Sequence, residues 1–153
     1  MEFNSSEFLI ETIVPKDELI ISRTNLSGII TYANDMFSKI SGYENDELIG
    51  KSHNWVRHPD MPKAVFKELW TQLESTSKWS GYVKNLRKDS GYYWVFAEIS
   101  GVYKDGKLVE YKSIRTPISY EDKLLYQKKY DEMKKINGEF ERKVVYTEYK
   151  EEK

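Results

Sequence analysis

Apolar and polar positions alternate over residues 18–24, 28–33, 79–88, 92–103 and 108–117, which predicts five short strands. The first two flank Asn25-Leu26-Ser27-Gly28, a good hairpin turn. The last three are joined by Asp89-Ser90-Gly91 and Asp105-Gly106, both strong turn signals. Between the pair and the triplet the period changes. Asn34-Asp35 is placed to cap a short helix carrying Met36, Phe37 and Ile40, with Gly42 just past its end. Glu44 to Ile49 reads as one or two further turns, closed by Gly50. Asp60 is expected to cap a helix from about Met61 to Leu73. Pro62 suits its first turn, and Val65, Phe66, Leu69, Trp70 and Leu73 form one stripe at helical spacing. The order is ββ, short helices, one longer helix, then βββ. This predicts an α+β fold: a five-stranded antiparallel sheet with short helices on one face, flanked by an N-terminal cap and a C-terminal helix. The divisions are residues 1–17, 18–118 and 119–153.

The alternation also assigns faces. Trp79, Gly81, Val83 and Asn85 share one face of the third strand. Tyr93, Val95, Ala97 and Ile99 share one face of the fourth, and Tyr111, Ser113 and Arg115 one face of the fifth. These are taken as inward. The row is apolar, its centre is small (Gly81, Ala97, Ser113), and an amide and a guanidinium face the space so left. A plainer reading stays open, in which Asn85 ends a strand in water and Arg115 pairs with a surface carboxylate. The opposite faces carry Tyr82, Leu86, Trp94, Phe96 and Ile114, too apolar for a solvated surface. They are expected to be covered by residues 1–14 or by a second subunit.

Composition narrows the classes. The chain has 153 residues and no cysteine, which excludes disulfides, thiolate nucleophiles and cysteine-based metal or Fe–S sites. The formal net charge of −1 supplies no basic field for nucleic acid. Apolar runs are only a few residues long, so no direct membrane insertion is expected. Residues 1–7 lack the basic and apolar regions of a secretory signal, and a cytoplasmic location is expected.

The densest chemistry is the run His53-Asn54-Trp55-Val56-Arg57-His58-Pro59-Asp60-Met61-Pro62. Further on comes Trp79-Ser80-Gly81-Tyr82-Val83-Lys84-Asn85. With Tyr32-Ala33-Asn34-Asp35 upstream and Trp70 on the helix, these segments resemble the FAD-binding PAS domains of bacterial aerotaxis and energy-taxis receptors, over about residues 24–117. The resemblance implies a PAS fold, with FAD held noncovalently between sheet and helices. It implies a cofactor set of Asn34, His53, Asn54, Trp55, Arg57, His58, Asp60, Phe66, Trp70, Gly81, Val83, Asn85, Tyr111, Ser113 and Arg115. The chemistry agrees. An amide at Asn85 suits the pyrimidine edge of an isoalloxazine, Arg57 suits a diphosphate, and Trp55 and Trp70 suit stacking. Asp60 equally suits a plain helix cap, and Trp70 a core position.

Rival chemistries lack residues. A haem site wants a histidine on the pocket helix, and His53 and His58 precede it. No metal-ligand spacing is present, and no Gly-rich phosphate loop, kinase motif or Gly-x-Ser-x-Gly occurs. No enzyme is expected. The expected function is redox or energy sensing, with signalling to a transmembrane methyl-accepting chemotaxis protein or its HAMP region, from a homodimer. The alternative is a PAS protein-interaction or dimerisation module without a functional cofactor. From Tyr120 onward apolar residues at 126, 130, 133, 136, 140 and 144 suggest a helix that docks on a partner, a linker, or a solvated helix without a role.

Overall fold

The computed structural model describes residues 10–139. Five strands, β1 (Ile20–Thr24), β2 (Ile30–Ala33), β3 (Lys78–Leu86), β4 (Tyr92–Lys104) and β5 (Lys107–Thr116), form one antiparallel sheet in the order β2-β1-β5-β4-β3. Helices α1 (Asp35–Ser41), α2 (Asn45–Leu48) and α3 (Lys63–Thr76), with a 3₁₀ turn over His53–Val56, fill the segment between β2 and β3. Helix α4 (Tyr120–Ile136) follows β5.

Local chemistry explains the boundaries. In the β1–β2 turn, Asn25 Oδ1 accepts from the amides of Ser27 and Ile29 at 2.9 and 3.0 Å, and Gly28 takes a φ of 86° that suits glycine. Asn34 caps α1 by accepting from the Phe37 amide at 3.1 Å. The same oxygen accepts from Ile21 N, and the amide donates to the Leu19 carbonyl at 2.9 Å, so one side chain ties α1 to β1. Helix α3 does not use Asp60 as its cap. Pro62 holds that position and the helix begins at Lys63, because the Asp60 carboxylate is engaged by Lys84 and Lys134.

The strand register aligns the expected inward residues in rungs. Gly81 faces Ala97, which faces Arg115, which faces Ile20; Trp79, Ile99, Ser113 and Ser22 form the next rung. Phe37, Ile40, Leu48 and Val56 are buried against the β1–β2 end of this face.

The outer face differs from expectation. It is covered by α4, which lies on its own sheet. The Tyr126 ring stacks on Tyr82 at 4.0 Å, the Tyr130 ring on Trp94 at 6.3 Å, and the Tyr130 hydroxyl donates to the Tyr82 carbonyl at 2.6 Å. Residues 10–14 instead run beside the start of β4, where Tyr92 N donates to Ile10 O and Thr12 N to Tyr92 O. The apolar stripe of α4 is used as far as Met133, and Ile136 is exposed. Positions 140 and 144, like residues 1–9, lie outside the described residues.

Candidate functional site

A cavity of about 720 Å³, mouth included, lies between the inner face of the sheet, α3 and the 3₁₀ turn. The sheet wall is Trp79, Val83 and Asn85 of β3, Ala97 and Ile99 of β4, and Tyr111, Ser113 and Arg115 of β5. The helix wall is Phe66, Leu69, Trp70 and Leu73, and His53, Asn54 and Arg57 stand at the 3₁₀ turn. The helical stripe and the strand alternation thus meet across one space.

Of the fifteen residues expected at a cofactor, His53, Asn54, Arg57, Phe66, Trp70, Val83, Asn85, Tyr111, Ser113 and Arg115 line the cavity. Five do not. Asn34 is occupied by capping α1. Trp55 stacks on Tyr43 at 4.5 Å and is 39% exposed. His58 accepts from the Asp60 amide through Nδ1 at 3.0 Å. Asp60 is ion-paired with Lys84 and Lys134. Gly81 is covered by the Trp79 indole, which a Cβ there would meet at 2.6 Å. The room expected at Gly81 is therefore filled by its neighbour's ring. Two lining residues, Thr24 and Gly28, escaped the sequence reading. They come from the first hairpin, whose turn closes on Trp70 with the Gly28 Cβ position 3.2 Å from the indole. Only the fold brings them there.

The electrostatics centre on Arg115, which is 3% exposed. Its Nη2 donates to Ser22 Oγ at 2.9 Å and its Nη1 to Ser113 Oγ at 2.8 Å. Nη1 also lies 3.0 Å from His53 Nε2. Guanidinium nitrogens only donate, so Nε2 must accept and the His53 proton sits on Nδ1. Ser22 Oγ, already accepting from Arg115, donates its own hydrogen to Nε2 at 3.1 Å. Burial, followed by the Arg115 charge, holds the imidazole down to about 3, so it is neutral at pH 7. Burial likewise lowers Arg115 to about 10, where it keeps its proton at neutral pH. The guanidinium lies 4.6 Å from the Phe37 ring. Arg115 Nε is buried without a partner among the described residues, and all its described acceptors are neutral. Arg57 packs over Phe66 at 3.6 Å, donates to Asn54 Oδ1 at 2.5 Å, and also leaves its Nε unpartnered. Two cations with unspent donors, the Asn54 and Asn85 amides, the His53 imidazole and the Thr24 and Ser113 hydroxyls thus border a space lined elsewhere by apolar and aromatic side chains. No group of three or more His, Cys, Asp or Glu suited to a metal occurs among the described residues.

Residues 30–115 match the family model for the PAS fold, and the chain belongs to the PAS family. Within that family its likeness is to aerotaxis receptors. It is 46% identical over 111 residues to the aerotaxis receptor of Escherichia coli strain K12, covering 72% of this chain and 22% of the receptor. It is 30% identical over 109 residues to the nitrogen fixation regulatory protein of Klebsiella pneumoniae, covering 71% of the chain and again 22% of the relative. The chain thus spans about a fifth of the length of these curated relatives. Among solved structures, a PAS domain from Colwellia psychrerythraea superposes with a TM-score of 0.60 at 25% identity, covering 65% of this chain and 86% of that one. A light-oxygen-voltage domain studied with a flavin analogue superposes with a TM-score of 0.66 at 19% identity, covering 76% and 89%. At that identity the likeness concerns the fold. No helix among the described residues is long and apolar enough to cross a membrane.

Proposed function

We propose that this PAS domain is a sensory module that binds FAD noncovalently and reports redox or energy state to a chemotaxis receptor. The observation that carries the reading is the cavity itself, with apolar walls, the Asn85 amide on one strand and a buried guanidinium without a carboxylate on another. An isoalloxazine ring has apolar faces and an acceptor-rich edge, so the walls and Asn85 fit it. Arg57 and Asn54 would hold the diphosphate. The flavin supplies reversible electron uptake when bound. The chain's own part is to place Arg115 where added negative charge is favoured, and to keep His53 neutral as its acceptor. A change in that charge biases hydrogen bonding along β3 and β5, which is the differential contact a two-state sensor needs. The likeness to an aerotaxis receptor supports the output. A cytoplasmic homodimer acting on a methyl-accepting chemotaxis protein or its HAMP region belongs to the same proposal, as does the absence of catalytic turnover.

The test is direct. Protein expressed with ample riboflavin should show flavin absorption, and the mass of the released cofactor separates FAD from FMN. Asn85→Ala should weaken binding by about 1–3 kcal/mol with the fold retained, since the cofactor edge then lacks its partner. A colourless, folded wild type that binds no added FAD would favour the interaction module, and steady NAD(P)H oxidation would favour an enzyme.

A further inference from the structure

Asp60 stands in the polar run, three residues after the cavity residue Arg57, yet its carboxylate serves another site. Oδ2 accepts from Lys84 Nζ at 2.7 Å and from Gln127 Nε2 at 3.2 Å, and Oδ1 accepts from Lys134 Nζ. Lys84 also donates to Gln127 Oε1 at 2.9 Å, and Gln127 donates to Asp131 Oδ1 at 3.1 Å. Asp60 and Lys134 are each 2% exposed. Buried Asp60, Lys84 and Lys134 therefore meet the part-exposed Asp131 in a cluster of balanced formal charge that joins the polar run, β3 and α4. Lys84 lies between Val83 and Asn85, both walls of the cavity. Burial alone would raise the Asp60 carboxyl, but the two ammonium groups outweigh it and hold it below the ordinary carboxylate range.

Buried charges are costly unless their partners stay in place. Taking α4 off the sheet removes Lys134, Gln127 and Asp131 together, leaving Asp60 and Lys84 to be rehydrated. That loosens residues 57–61, which end on the cavity rim. We propose that this cluster couples the docking of α4 to the shape of the cavity rim, which makes Lys134 a positioning residue for the bound cofactor although it touches no cavity wall. The coupling is reciprocal by thermodynamic necessity: whatever factor α4 docking adds to cofactor affinity, the cofactor adds to α4 docking. The ligand arm of the proposal rests on the FAD reading; the arm concerning residues 57–61 does not.

The experiment compares the full chain with Lys134→Met and Lys134→Arg. Hydrogen exchange is followed in residues 57–61 and 120–136, with and without FAD, and FAD affinity is measured by fluorescence quenching. Lys134→Met should exchange faster in both segments and bind FAD about tenfold more weakly, within the usual range of coupling between sites. Lys134→Arg should restore both. FAD should slow exchange in α4 by about tenfold in the wild type and much less in Lys134→Met. Faster exchange confined to α4, with FAD affinity and residues 57–61 unchanged, overturns the coupling. Should the wild type bind no FAD, the cofactor reading fails separately. Exchange in 57–61 of Lys134→Met then decides alone, faster supporting the coupling and unchanged refuting it. Gln127→Leu, which removes only the amide bridge, carries the same comparison if Lys134→Met does not fold.

Discussion

Acid should unfold this domain through His53 before it reaches any buried carboxylate. In the unfolded chain the imidazole takes a proton near its ordinary value of 6.5, whereas in the fold burial and Arg115 hold it at about 3. Between those two values the unfolded state binds one more proton than the native state, so stability falls as pH falls, by about 1.4 kcal/mol per pH unit. From pH 6.5, where the unfolded imidazole is half protonated, to pH 4.5 that amounts to about 2.3 kcal/mol. The ring retains some exposure, and it faces the cavity, so water screens part of this and about 1.2 to 2.3 kcal/mol is expected. Asp60 acts in a different window. Its carboxyl is held down in the fold, so its contribution is complete above the ordinary carboxylate value and is lost only below it. The assay is urea unfolding at pH 6.5 and 4.5 of wild type and His53→Gln. Glutamine still offers an acceptor to Arg115 but does not titrate. The wild type should lose about 1.2 to 2.3 kcal/mol more than the variant between the two pH values, with m unchanged. Equal losses would refute a neutral, cavity-facing His53 and the hydrogen-bond scheme that makes Nε2 an acceptor.

Substitutions at two further positions probe the two faces of the sheet. Gly81→Ala puts a methyl 2.6 Å from the Trp79 ring, so the indole must move, and a loss of about 1–3 kcal/mol with altered tryptophan fluorescence is expected; an unchanged midpoint would mean the ring does not cover the glycine. On the outer face, Tyr130→Phe removes the donor to the Tyr82 carbonyl and should cost about 0.5–1.5 kcal/mol, whereas Tyr130→Ala, which also empties the stack on Trp94, should cost about 3–5 kcal/mol in urea unfolding. Near-neutral values for both would place α4 off the sheet.

Much of this arrangement is legible in the chain. Alternation in β3, β4 and β5 placed Val83, Asn85, Tyr111, Ser113 and Arg115 on one face, and the register aligns them. The period of α3 placed Phe66 and Trp70 opposite. The polar run was less legible because density of polar groups says nothing about direction. Its backbone passes from a 3₁₀ turn to extended structure, so His53, Asn54 and Arg57 turn to the cavity while Trp55, His58 and Asp60 turn elsewhere. The docking of α4 was hidden for a similar reason. Its contact face is made of tyrosines, a methionine and a lysine, and a lysine reads as solvent-facing until a buried carboxylate is found for it. Nothing local to residue 134 announces a partner at residue 60.

The two faces of the sheet treat buried cations in opposite ways, and the contrast bears on function. On the outer face Lys84 and Lys134 are each met by a carboxylate, the usual condition for burying charge. On the inner face Arg115 is as deeply buried, but its described acceptors are two hydroxyls and an imidazole kept neutral by that same burial. These groups orient the guanidinium without cancelling its charge. If stability alone set the inner face, an aspartate at position 22 or 113 would neutralise it at little steric cost. Leaving the charge uncancelled beside an apolar cavity keeps its field for whatever enters. A unit negative charge arriving within about 4 Å would gain about 4 kcal/mol at the effective dielectric of a protein site, whereas a neutral occupant would gain little. Under the proposed redox-sensing role, the energy difference between a charged and an uncharged occupant is the quantity to be converted, and Arg115 is the buried cation placed to supply it.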